Sequence, residues 1–349
     1  MTKQEEIPCM PIKPSRWWEA EIKGSWRKQP TGIRAGETCN QTQAAKAALD
    51  LQTCTGHLWD DSWAMATQYF PYKGVLFPCF DYSPETLSYV ESQFQVRDDD
   101  IFNVTYPKSG TNWMLEILSL IRCDGDPSWV RSVLNWDRAP WIETKTGLAT
   151  TLKYPPPRLL TSHLPLQLFP RSFQGSQAKV IYTLRSPKDV LTSLYHFSKA
   201  LRLYKDPGPV DTFLQDFLSG SLPYGSWFDH VAGWLGLQGH KNFLCITYEE
   251  LQQDPWDSVR RICHFLGKEL SEQHISSVVE NASFQTMRGN KMSNVSQLPD
   301  EYMDHSKGQL LRKGVCGDWK NLLSEEQSRC VDAEYREWMQ ALDITFPWD

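Results

Sequence analysis

One short stretch constrains this chain more than any other: Tyr106-Pro-Lys-Ser-Gly-Thr-Asn-Trp113, set between a strand-like run and a helical pattern. The segment "DDDIFNVTY" reads as a strand at 101–106, and Met114, Ile117, Leu118 and Ile121 then fall at i, i+3, i+4 and i+7, one face of a helix. A helix start reached through a tight turn presents unpaired N–H groups and the positive end of the peptide dipoles, a ready anion site. Lys108 adds a full charge, and Ser109, Thr111 and Asn112 add donors. The same residues also suit a plain strand–turn–helix corner with an incidental lysine. The G-x-x-x-x-G-K-[ST] spacing of a nucleotide triphosphatase is absent.

The alternation continues along the chain. "AKVIYTL" is a second strand ending at Leu184, and "PKDVLTSLYHF" follows with Pro187 near its start and Val190, Leu194 and Phe197 on one helix face. "NFLCITY" (242–248) is a third strand, leading into "EELQQDPWDSVRRICHFLG". Such alternation implies an α/β fold: a mostly parallel sheet with helices on both faces, a P-loop-like strand–phosphate loop–helix, and one globular domain over 58–349. Ligands in such folds sit at the C-terminal ends of the strands. Residues 1–57 lack a sustained period and mix Gly, Pro, Gln and Thr with Trp17, Trp18 and Trp26, so a disordered or weakly docked extension is expected there.

Composition removes several classes. A formal net charge of -6 argues against nucleic acid as a bulk partner. The 9 cysteines are scattered without a C-x-x-C pair and read as reduced thiols, not as a disulfide frame or zinc site. No apolar N-terminal run or 18-residue apolar stretch is present, so a cytosolic protein without a membrane partner is expected. The 8 histidines show no metal-ligand spacing, and no G-x-S-x-G elbow is found. A P-loop kinase also lacks support, since no magnesium-binding carboxylate is evident after the relevant strands.

Three further segments join the loop. "TLRSPKDVLTS" places Arg185 just past the second strand and Ser193 two turns into the next helix. "LLRKGVCGDWKN" contains Arg312, Lys313 and Gly314, and "RLLTSHLPLQLF" puts His163 at the end of another expected strand. Together these resemble the cytosolic sulfotransferases over about Leu58 to Asp349. Within that family the chain is most similar to the hydroxysteroid (alcohol sulfotransferase) branch, through "YPKSGTNW", "GSWFDH", "ITYEELQQD", "FQTMRGNKMSN" and the terminal "FPWD". Thr161-Ser162 precede the histidine where the phenol-preferring branch usually carries Lys-Thr.

The resemblance implies a donor, 3′-phosphoadenosine 5′-phosphosulfate (PAPS), and no metal. Lys108, Ser109, Gly110, Thr111, Asn112 and Trp113 would hold the 5′-phosphosulfate, with Trp113 beside the adenine. Arg185, Ser193 and the segment Arg312–Lys313–Gly314 would grip the 3′-phosphate, a role for which the planar guanidinium fork is suited. Tyr248 and the segment Ala282, Ser283, Phe284, Gln285, Thr286 and Met287 would close on the adenine, with Phe284 as a stacking face. His163 would be the general base, although a histidine in "TSHLP" taken alone is more often a packed or capping residue. Lys108 would stabilise charge on the leaving phosphate, and Ser193 would restrain Lys108 until acceptor arrives. A steroid or similar alcohol would meet Trp136, Trp141 and Tyr302.

The chain also departs from that pattern. Val295 stands where the branch commonly has Tyr, and one residue is inserted between Tyr302 and Arg312. Phenols, bile alcohols, and a non-catalytic nucleotide-binding role therefore stay open beside the steroid reading. The family's K-x-x-x-T-V-x-x-x-E dimer segment is altered: Lys320 is followed by Ser324, Glu325 and Arg329 in place of Thr, Val and Glu. A carboxylate in an apolar contact and an inverted final charge predict a weak homodimer or a monomer.

Overall fold

Residues Tyr69–Tyr72 (β1) and Val75–Pro78 (β2) pair antiparallel. Their connection, Lys73-Gly74, has φ of 49° and 83°, the positive pair that matches the twist of a two-residue hairpin. The computed structural model describes residues 69–300, 302–340 and 344–349. The expected extension 1–57 and the domain start at 58 lie outside the described residues.

The sheet that carries the site comprises Ile101–Thr105 (β3), Leu159–Ser162 (β4), Lys179–Leu184 (β5) and Phe243–Thr247 (β6). Its order is β4-β3-β5-β6 and every pairing is parallel. Both faces are buried, as parallel sheets require. Phe102, Val104, Val180 and Tyr182 enter one core, shared with helices Pro187–Ala200, Val210–Leu218 and Trp227–Leu235. Ile181 and Ile246 enter a second core with helices Thr111–Arg122, Pro255–Leu266 and Glu272–Asn281. Helices therefore cover both faces, as expected from the sequence. Each such fully buried side chain contributes about 1.5–3 kcal/mol.

The expected strand at 101–106 ends one residue earlier, and that at 242–248 loses a residue from each end. The segment after β6 is two helices, Tyr248–Gln253 and Pro255–Leu266. Pro255 has no N–H to continue the first helix, and Asp254 leaves helical geometry (φ -141°) to cap the second, accepting from the Asp257 N–H at 2.9 Å.

Because all four strands run the same way, their C-terminal ends share one rim. His163 follows β4 directly, Arg185 follows β5, Tyr248 follows β6, and Lys108 lies three residues beyond β3. β4 is an edge strand, and the segment 140–142 runs along its outer side: Thr161 N–H donates to the Pro140 carbonyl (3.0 Å), and Ile142 N–H to the Thr161 carbonyl (3.1 Å).

One expectation needs correction. Cys79, Cys123, Cys245, Cys263 and Cys316 are free thiols, but Cys330 is disulfide-bonded, so the thiols are not all reduced.

Candidate functional site

The loop after β3 is built by backbone conformation. Lys108 and Gly110 take left-handed φ values of 71° and 110°. This turns the chain sharply before the helix Thr111–Arg122, whose N-cap Gly110 offers no side-chain cap. Several other helix starts are capped by a side chain, as by Ser283 and Ser324. The Thr111 start thus keeps its amide groups available to an anion. The loop is held from below: Asn103 Nδ2 donates to the Thr111 carbonyl (3.0 Å), and the hydroxyls of Thr105 and Thr111 lie 2.6 Å apart. Ser109 Oγ is buried without a partner.

Lys108 Nζ sits 3.9 Å from the Phe197 ring centroid. Burial, with the like charges of Arg185 and Arg312, lowers its pKa to about 7. Ser193 lies one turn before Phe197 on the same helix, so the two share a helix face.

Arg185 lies beside this loop. Its Nη1 donates to the Lys108 carbonyl (3.3 Å) and its Nη2 to the Val315 carbonyl (2.9 Å), while Nε is buried without a partner. Its guanidinium stacks 4.1 Å over Tyr248, which meets Trp113 edge-on with centroids 5.1 Å apart. Only glycine fits under Tyr248 at position 110, since a Cβ there would lie 2.9 Å from Tyr248 Cδ2.

Arg312 and Lys313 both pair with Asp318, Lys313 at 2.5 Å, and these partners drop the Asp318 carboxyl to about 2 despite its burial. Asp189, in the first turn of the helix Pro187–Ala200, accepts from the N–H groups of Gly317 (2.6 Å) and Trp319 (3.1 Å), fastening this loop to the rim.

The segment 282–287 divides by environment. Ala282 and Met287 are buried, Ser283 and Thr286 hydrogen-bond each other in the helix cap, and Gln285 is exposed. Phe284 packs on Gly314 (φ 68°).

His163 is half-buried at the same rim. Its Nδ1 lies 2.8 Å from the Thr105 carbonyl and 3.2 Å from the Thr105 hydroxyl. A carbonyl only accepts, so Nδ1 carries the proton and Nε2 is left with a lone pair. Burial drives the pKa to about 4; the Thr105 carbonyl opposes this and the Lys108 charge adds to it. The imidazole is therefore neutral at physiological pH. Trp141 lies 6.1 Å and Tyr224 5.3 Å from its ring centroid.

The structure thus brings Trp141 to His163. Trp136 is half-buried on the short helix Asn135–Arg138, and Tyr302 packs on Phe80 at 5.1 Å. Sequence reasoning missed Phe80, Phe197, Tyr224, Asp318 and Glu143. Asp318 lies within "LLRKGVCGDWKN", Tyr224 directly precedes "GSWFDH", Phe197 was placed on a helix face and Glu143 stands two residues after Trp141, but nothing local marks any of them as bearing on the site.

Comparison with known proteins bears on this geometry. The family model described as "Sulfotransferase domain" matches residues 98–343. The chain is 54% identical over 288 residues to sulfotransferase 2B1 of Mus musculus, covering 82% of this chain and 85% of that protein. It is 46% identical over 279 residues to a 3-beta-hydroxysteroid sulfotransferase of Cavia porcellus, covering 80% and 97%. Among solved structures, mouse sulfotransferase SULT7A1 complexed with PAP superposes with a TM-score of 0.67 at 31% identity, covering 79% of this chain and 95% of that one.

Proposed function

This chain belongs to the sulfotransferase domain family, and from that premise we propose that it moves the sulfuryl group of PAPS to the hydroxyl of a steroid or similar alcohol. The observation that carries the reading is His163: its Nδ1 is pinned to the Thr105 carbonyl at 2.8 Å, leaving a neutral Nε2 beside the phosphate loop. A relative named a 3-beta-hydroxysteroid sulfotransferase, and a neighbour bound to PAP, support acceptor and donor.

The chemistry asked of the residues follows. His163 Nε2 removes the proton from the acceptor hydroxyl as its oxygen bonds to sulfur. The bond from sulfur to the 5′-phosphate oxygen breaks in line, and Lys108 and the Thr111 helix start stabilise the charge that gathers there. Arg185, Arg312 and Lys313 hold the 3′-phosphate, and Trp113, Tyr248 and Phe284 provide the aromatic surface for adenine. Ser193, beside Phe197, restrains Lys108 before acceptor binds. None of these roles calls for a metal; among the described residues no cluster of His, Cys, Asp and Glu suits one.

Trp136, Trp141 and Tyr302 form the acceptor wall in this reading. Val295, with φ of 65°, sits in the loop that would face it. The decisive assay is PAPS-dependent transfer to a 3-hydroxysteroid, a bile alcohol, a simple phenol and an aliphatic alcohol. Preference for the 3-hydroxysteroid supports the proposal, and phenol preference shifts the acceptor class. Transfer to none of them, with PAP still bound, means a non-catalytic homologue. His163→Ala should remove most turnover while keeping PAP affinity; turnover within a few-fold of wild type would overturn the base assignment.

The protein is read as a monomer or weak dimer. Ser324 is the N-cap of the helix Glu325–Met339, engaged in a capping box with Gln327, so the altered dimer segment already has an intrachain role. Light scattering showing only dimer at micromolar concentration would refute this. The proposed location is the cytosol; among the described residues no helix is long and apolar enough to cross a membrane.

A further inference from the structure

His163 is anchored at three points, and two involve buried side chains with no role assigned above. Its main-chain N–H donates to Glu143 Oε1 at 2.7 Å. Its carbonyl accepts from His230 Nε2 at 3.1 Å. The Tyr182 hydroxyl lies 2.9 Å from His230 Nδ1. The carbonyl can only accept, so His230 carries its proton on Nε2, and Tyr182 donates to Nδ1. Both anchors are buried, Glu143 at 0% and His230 at 1% exposure.

The sheet explains why anchors are needed. β4 ends at Ser162, so His163 leaves the ladder one residue later. On the outer edge of β4 the segment 140–142 pairs with Thr161 through main-chain atoms. At the next donor that pairing has run out, and the Glu143 side chain takes the place of a main-chain acceptor. A carboxylate buried this deeply without a cation is costly: burial pushes the Glu143 carboxyl up to about 7 against the hydrogen bonds from the His163 N–H and Ser162, and Oε2 is left without a well-formed partner. A neutral acceptor would close the ladder at lower cost.

We infer that Glu143 and His230 clamp the main chain of His163 from both sides, as positioning residues that fix where Nε2 stands relative to the acceptor hydroxyl. Glu143 lies two residues beyond Trp141, so the same clamp ties the base to the aromatic wall. This inference rests on His163 being the base, as proposed above.

The test uses the full chain, with acceptor saturation curves at saturating PAPS, PAP affinity by calorimetry, and thermal unfolding as a control for folding. Glu143→Leu removes the acceptor for the His163 N–H. Its kcat should drop roughly ten- to hundredfold, the scale of a displacement of about 1 Å at a reacting group, while the PAP Kd changes less than about twofold. Glu143→Gln keeps the acceptor oxygen in place and should stay within about threefold of wild type. A folded Glu143→Leu variant with kcat within about threefold of wild type overturns the clamp, and so does a Glu143→Gln variant as impaired as Glu143→Leu. If Glu143→Leu does not fold, His230→Phe against His230→Gln carries the same comparison on the carbonyl side: equal kcat in the two overturns the clamp. A His163→Ala variant that retains turnover would instead strike the base assignment, so the two failures are distinguishable.

Discussion

A single methyl group separates Gly314 from a collision with Phe284: a Cβ on Gly314 would lie 2.3 Å from Phe284 Cδ2, at a backbone φ of 68°. The loop carrying Arg312 and Lys313 and the helix that starts at Phe284 are thus packed against each other through a residue with no side chain. Gly314→Ala should displace the two cations from the Phe284 ring proposed to face adenine. Left-handed strain alone is about 1–2 kcal/mol, so PAP affinity should fall roughly tenfold or more. Calorimetry with PAP reads this, and an unchanged Kd would remove the loop from the donor site.

Lys108 should make donor capture pH-dependent. Its ammonium is held at about 7, well below the usual lysine range. The charged form, which attracts the phosphosulfate, prevails below that pH and is lost above it. The kcat/KM for PAPS should therefore decline above about pH 7. Lys108→Arg cannot lose its charge in this range, so its profile should stay flat there even if its turnover is low. Wild-type kcat/KM that stays flat from pH 6 to 9 would contradict the reading.

Asp318 holds both Arg312 and Lys313, so with these cations on the 3′-phosphate as proposed, Asp318 would compete with the donor for them. The Lys313 side chain is 46% exposed, so these pairs are partly screened, and partly exposed pairs contribute about 0.2–1 kcal/mol each. Asp318→Asn should tighten PAP binding by roughly two- to fivefold and slow its release in stopped flow. Weaker binding would instead make Asp318 a brace for the two cations.

Away from the rim, Arg138 and Glu116 form an ion pair at 2.7 Å with side chains 0% and 1% exposed, and Ser293 hydrogen-bonds both. Arg138→Ala leaves a buried carboxylate unpaired and should cost about 3–5 kcal/mol. The double variant Glu116→Leu/Arg138→Met should recover most of that loss. Urea unfolding of the three proteins measures both values, and a single variant within 1 kcal/mol of wild type would show that solvent reaches the pair.

Much of the site was readable because it lies where strands end. Lys108, His163, Arg185 and Tyr248 each follow an apolar run, and in a parallel sheet all such positions meet at one rim. The break at Asp254-Pro255 follows from proline's missing N–H. The segment 282–287 shows the opposite limit. Its six residues were taken together for the adenine, but helix geometry sends Met287 into the core, leaves Gln285 in solvent and turns Ser283 and Thr286 toward each other. A contiguous motif cannot reveal which of its residues face the ligand.

The sequence by itself determined the alternation of strands and helices, the turn at Gly110, and the residue types able to bind an anion and accept a proton. Those are local properties, set by periodicity, by glycine's freedom at positive φ and by side-chain chemistry. Only the tertiary structure decided that His163 is neutral with its proton on Nδ1, that Lys108 loses its charge near neutrality, and that Glu143, His230 and Asp318 bear on the site. Each depends on burial or on partners far away in the chain: Thr105 lies beneath His163 across 58 residues and His230 reaches it across 67. No local pattern encodes such distances. They follow from how the two cores close on the sheet.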